Sequence, residues 1–121
     1  MKTIKKIITI GMNEGYNHNN DSNTGSMEEL YQKVAQKHFD ESGLYISALI
    51  SPAKVIYSQE WGCPDGGEEV YKIETTANPE FVKDLGKWRY TVKEIALELK
   101  NELKQSTVTI ETVEVGLTYL T

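Results

Sequence analysis

Gly86-Lys87-Trp88-Arg89-Tyr90-Thr91-Val92-Lys93-Glu94 is the stretch on which the fold turns. Thr91 followed three residues later by Glu94 has the form of a capping box, in which the threonine oxygen accepts from the Glu94 N–H and the glutamate reaches back to the Thr91 N–H. The pattern predicts a helix from about Val92 to Lys104, with Val92, Ile95, Ala96, Leu99 and Leu103 as its buried stripe. An aromatic and basic loop would then lead into it, carrying Arg89, the only arginine of the chain, beside Lys87 and Trp88. Helix N-termini present unpaired N–H groups and a positive dipole end. The loop is therefore a candidate site for a small anionic ligand with a ring, held by Lys87, Arg89 and the helix start at Thr91, with the ring against Trp88 or Phe81. Trp88 has a second role open to it, as a plug for the end of the core.

Upstream of this stretch, Val70 to Thr76 alternates as a strand with one core-facing side, and Asn78-Pro79 stops it. Downstream, Thr107 to Leu120 reads as a last strand whose apolar parity changes between Ile110 and Val113, which calls for a bulge near Glu111-Thr112. The chain opens with a strand from about Thr3 to Met12, in which Lys6 interrupts the row Ile4, Ile8, Ile10. Ser26 and Glu29 form another capping box, starting a helix that Gly43 closes near Ser42. His38 borders its apolar stripe, where a hydrogen-bonded structural histidine is favoured over a catalytic one because a lone helical histidine lacks the partners chemistry needs. Leu44 to about Tyr57 is the second strand, and Pro52 makes it an edge strand or a strand broken by a bulge, because proline gives no donor to a ladder.

Strand, helix, strand, strand, helix, strand is the split β-α-β, or ferredoxin-like, α+β arrangement: two helices on one face of a four-stranded antiparallel sheet. Residues 1–121 are read as one domain. In this topology Gly11–Gly25 and Trp61–Glu68 emerge at one end of the sheet, and Phe81–Tyr90 at the other. The uncovered face, with apolar residues on both parities of the last strand, points to a homo-oligomer, a dimer or larger.

Composition narrows the function. A net charge of −5 is set against general nucleic-acid binding, which needs a basic field. No apolar run is long enough for a membrane span or a signal peptide, and the single Cys63 excludes an internal disulfide, so a cytoplasmic protein is expected. The segment Gly11–Gly25 is rich in asparagine, and Tyr16 and His18 are its candidate ligand contacts. Its Asn19, Asp21 and Asn23 alternate like calcium ligands, but Thr24 stands where that loop needs glycine and Leu30 where it needs a bidentate glutamate. No metal or cofactor is expected.

Two function classes emerge from the residues. One is a non-catalytic binding protein for a small nucleotide-like anion, with Tyr16, Phe81, Lys87, Trp88, Arg89 and Thr91 as contacts. The other is a small enzyme with Cys63 as nucleophile and His18 as base. Glu60, Asp65, Glu68 and Glu69 around Cys63 weigh against the enzyme, since carboxylates disfavour a thiolate. A structural or protein-interaction module is a further alternative.

In size, acidic balance, element order and the character of Phe81, Lys87, Trp88 and Arg89, the chain resembles the phage proteins that sequester the cyclic ADP-ribose signals of Thoeris immunity. The resemblance implies a sponge that binds without turnover; it carries over no binding residue, and a single arginine departs from the several expected to grip phosphates. Gly86-Lys87-Trp88 with Gln105-Ser106-Thr107-Val108 is also similar to uncharacterised bacterial domains, which implies no activity.

Overall fold

The computed structural model describes residues 1–11 and 26–121. Its elements run β1 (Lys2–Gly11), α1 (Met27–Ser42), β2 (Leu49–Val55), β3 (Glu68–Thr76), α2 (Leu85–Glu102) and β4 (Val108–Gly116), with a single 3-10 turn at Gln59–Trp61 between β2 and β3. The four strands form one antiparallel sheet in the order β2-β3-β1-β4. This is the ferredoxin-like α+β arrangement that the element order predicts, with β2 at an edge, one of the two placements that Pro52 allows.

The first helix forms where its sequence signals place it. Ser26 Oγ accepts from the Glu29 N–H and Glu29 Oε1 accepts from the Ser26 N–H, both at 3.1 Å, and Gly43 closes the helix in the left-handed region at φ 81°. Met27, Leu30, Tyr31, Val34 and Ala35 are buried against the sheet. The Tyr31 hydroxyl donates to the Ile46 carbonyl at 2.7 Å, and burial, with Tyr45 adding to it, pushes its pKa upward. His38 Nε2 lies 3.0 Å from Glu98 Oε1, while Lys37 Nζ lies 3.0 Å from Glu98 Oε2, so one carboxylate ties α1 to α2.

The second helix differs from expectation. It starts at Leu85, capped by Asp84, whose carboxylate accepts from the Lys87 N–H at 3.0 Å. Thr91 is not a cap: its hydroxyl donates to the Lys87 carbonyl at 2.8 Å, inside the helix. The reason is packing. Trp88 lies one turn ahead of Val92 on the stripe that continues through Ile95, Ala96, Leu99 and Leu103, and extending the helix by two turns buries the indole to 2% exposure.

The last strand also corrects its expectation. Its register with β1 is unbroken from Lys2↔Gly116 to Ile10↔Val108, with no bulge. Directly paired residues share a face, so Val108 and Ile110 join Ile10 and Ile8 under the helices, while Val113 and Val115 pair with Lys5 and Thr3 on the uncovered face. That face is mixed rather than apolar, because Lys5 and Lys72 both pair with Glu74, at 3.3 and 3.7 Å. No helix among the described residues is long and apolar enough to cross a membrane.

Candidate active site

Of the residues singled out around α2, Lys87 and Thr91 line one cleft with His38 and Glu94, while Trp88, Arg89 and Phe81 lie elsewhere. Successive helical positions are rotated by about 100°, so Lys87, Trp88 and Arg89 leave the axis in three directions. Lys87 Nζ donates to the Ser42 carbonyl at 2.8 Å, at the end of α1. Trp88 takes the core role, Arg89 is exposed on the β4 side, and Thr91 is buried to 5%. Phe81 is 67% exposed near the tail after β4, its ring edge-on to Tyr119 at 5.5 Å. Tyr16 and His18 lie outside the described residues.

A different constellation forms at the other end of the sheet, where β2 turns into β3. Two consecutive glycines set it. Gly66 and Gly67 have φ of 85° and 97°, conformations that side-chain-bearing residues rarely adopt, and the Gly67 N–H closes the turn on the Pro64 carbonyl at 2.9 Å. A Cβ on Gly67 would also lie 3.1 Å from the Val55 carbonyl. This tight return brings Glu68, the first residue of β3, opposite Val55, the last residue of β2. Tyr57 then reaches across, and its hydroxyl donates to Glu68 Oε1 at 2.9 Å. The hydrogen bond to the carboxylate is the first cause that raises the Tyr57 pKa, followed by desolvation and by the negative charge of Glu68.

The second Glu68 oxygen faces Gly11, the last described residue of β1. A Cβ at Gly11 would stand 3.3 Å from Glu68 Oε2 and 2.5 Å from Gln105 Oε1, so a side chain there would collide with an amide that arrives from the exit of α2. The absence of a side chain at Gly11 lets the carboxylate, the phenol and the amide crowd one spot. Glu60, Asp65 and Glu69 surround it in sequence, giving this end a negative field.

Cys63 lies beneath the same turn, 8% exposed. Its sulfur accepts from the Tyr57 N–H at 3.5 Å and directs its S–H to the Pro64 carbonyl at 3.4 Å. The thiol thus fastens the backbone that carries Tyr57. The carboxylates that disfavour a thiolate at Cys63 also favour a cationic over an anionic ligand at this turn.

The family model for SAM lyase matches residues 1–121, the whole chain. The chain belongs to the SAM lyase family. Solved structures carry the same fold: a phage SAM lyase in complex with S-methyl-5′-thioadenosine, 19% identical with a TM-score of 0.62, and a phage SAM lyase in the apo state, 16% identical with a TM-score of 0.60. In both cases 93% of this chain and 81% of that chain are covered. No curated protein matches the sequence.

Membership of the SAM lyase family overturns the non-catalytic reading, since a lyase is an enzyme. Sequestration of a cyclic ADP-ribose signal falls with it. Of the resemblance to phage sponges, what persists is that the solved neighbours are phage proteins, one of them in complex with a small adenosine-bearing molecule. No local motif marks the pair in the sequence, since Tyr57 and Glu68 come from opposite sides of the turn, eleven positions apart. Its one sequence signal was the acid cluster ending in Gly66-Gly67-Glu68.

Proposed function

We propose that this chain cleaves S-adenosylmethionine (SAM) into S-methyl-5′-thioadenosine and a four-carbon amino-acid fragment, at the Tyr57–Glu68 end of the sheet. The observation that carries the reading is the hydrogen-bonded Tyr57–Glu68 pair, set in an acidic turn of a chain matched over its full length by the SAM lyase model. SAM carries a sulfonium and an ammonium against one carboxylate, so its net charge is positive. An anionic site suits it, and the ligand has the opposite sign to the anion expected from Lys87 and Arg89.

The sulfonium is itself a good leaving group, because breaking its bond to the Cγ carbon releases a neutral thioether. The substrate's own carboxylate can attack Cγ from the opposite side. One Cγ–O bond forms, one Cγ–S bond breaks with its electron pair going to sulfur, and no proton need move. The products are the thioether nucleoside and a lactone. What the chain must supply is a folded substrate and a dry site, which is catalysis by positioning and electrostatics. Glu68 holds the substrate ammonium, which keeps the amino-acid arm bent toward sulfur, and Tyr57 holds the Glu68 carboxylate in orientation.

Incubation with SAM in isotopically labelled water tests the reading. The expected result is equal amounts of S-methyl-5′-thioadenosine and unlabelled lactone in the first turnovers. Direct formation of labelled homoserine would mean that water, not the carboxylate, attacks. An unsaturated amino acid would mean that Glu68 instead removes a Cβ proton.

We retain a homo-oligomer as part of the proposal, on a different surface from the one first expected. Ile56 and Trp61, in the turn after β2 that carries Tyr57, are 77 and 78% exposed, and Leu49, at the far end of the same edge strand, is 75% exposed. A second copy covering that edge would remove apolar surface from water and close the site. Sedimentation at micromolar concentration is expected to give at least a dimer, and a 13.7 kDa species under those conditions would refute it.

A further inference from the structure

On the opposite edge of the sheet, between α2 and β4, lies a cleft of about 350 Å3 lined by Lys6, Arg89, Tyr90, Val92, Lys93 and Ile110. Three of these six side chains are cationic in a chain whose net charge is −5. None is a carboxylate. Of the acids near them in sequence, Glu111 pairs with Ile7 on the other face of the sheet, Glu94 lines a different cleft with His38 and Lys87, and Glu114 lines one with Lys2 and Leu85. Among the described residues neither Arg89 nor Lys93 has an ion-pair partner.

Lys6 supplies an independent observation. It stands on the helix-covered face of β1 between Ile4 and Ile8, which are buried to 7 and 1%. Its neighbours across the sheet are Thr75 on β3 and Thr112 on β4, so a polar row crosses an otherwise apolar face. The ammonium donates to Thr112 Oγ1, and among the described residues it has no ion-pair partner. A lysine stem on a core-facing row can leave its charged head only where the core opens, and here it opens into the cleft that Arg89 and Lys93 share.

We infer that this cleft is a binding site for a phosphate group. Arg89 offers a planar fork of donors for two phosphate oxygens, Lys6 and Lys93 add point charges, and the Thr112 hydroxyl is in reach of the Lys6 end. Tyr90, 64% exposed, puts an aromatic edge on the rim that an organic substituent of the phosphate can lie against. The site is separate from the Tyr57–Glu68 turn in position and opposite to it in charge. It serves an anion beside the SAM reaction and needs no SAM to be filled.

Calorimetric titration of the SAM-free protein tests it, with inorganic phosphate and phenyl phosphate as probes at matched ionic strength. Phosphate is expected to bind with a millimolar dissociation constant or tighter. Arg89→Gln and Lys6→Met should each weaken it by about tenfold or more, as loss of one charge-assisted contact implies. Both variants replace a charge without opening the core, and their melting temperatures in chloride should equal or exceed that of the parent, because like charges are separated. Equal binding of the two probes identifies free phosphate as the ligand; tighter binding of phenyl phosphate, lost in Tyr90→Ala, identifies a phosphate ester. No binding of either probe, or binding undiminished in both charge variants, overturns the inference whatever the fate of SAM cleavage.

Discussion

Glu68→Gln is expected to lower kcat/KM for SAM by at least about a hundredfold while the protein stays folded. The carboxylate is half-buried at the start of β3, and its charge is the feature that a cationic substrate would engage. Glutamine keeps the shape and can still accept from the Tyr57 hydroxyl, which today spans 2.9 Å to Glu68 Oε1. Stability should therefore change by less than about 1 kcal/mol, the worth of one ordinary hydrogen bond. Tyr57→Phe removes orientation but leaves charge, so its activity loss should be smaller, about tenfold. Steady-state kinetics and thermal unfolding on the same preparations decide the matter. Unchanged kinetics in Glu68→Gln would move the reaction away from this turn.

Trp88→Ala should have the largest effect on stability of any single change in α2, about 3 to 5 kcal/mol. The indole is 2% exposed and fills the first turns of the helix, in the same core as Val92, Ile95 and Leu99. Domains of this size have only about 5 to 15 kcal/mol in total, so a fall in Tm of more than about 10 °C is expected. Urea unfolding would measure it. A cost below about 1 kcal/mol would mean that the surrounding side chains collapse into the space, or that the indole is not held in the core as described.

What the sequence discloses depends on how local the determinant is. The first helix was legible at both ends because Ser26, Glu29 and Gly43 each act within a few residues. One proline narrowed β2 to an edge or a bulged strand, and the element order, through the topology it implies, placed it at the edge. The start of α2 was not legible from caps alone. Asp84 and Thr91 are both competent N-caps, and the choice between them is made by the burial of Trp88, which depends on the sheet lying beneath it. The register of β4 was hidden for a related reason: its apolar residues occupy both faces, and only pairing with β1 shows that Val113 and Val115 sit beside Lys5 and Thr3 without a bulge.

The candidate site was hidden most of all. An aromatic and basic run such as Lys87-Trp88-Arg89 is conspicuous in a sequence, yet one helical turn scatters it to the end of α1, the core and the β4 edge. Tyr57 and Glu68 are ordinary residues until Gly66 and Gly67 fold one strand end back on the other. The charge of the proposed site has a trace in the sequence: four acids lie within ten positions of one another, at Glu60, Asp65, Glu68 and Glu69, a negative field that suits a cationic ligand.

The most direct test of the central claim is a structure of the protein with S-methyl-5′-thioadenosine, the nucleoside product, bound. The product is expected to place its sulfur near the Tyr57 hydroxyl and the Glu68 carboxylate, beside Gly11 and Gln105. Product bound only in the Lys6–Arg89–Lys93 cleft, or near Phe81 at the far end of the sheet, would contradict the assignment of the reaction to the β2–β3 turn.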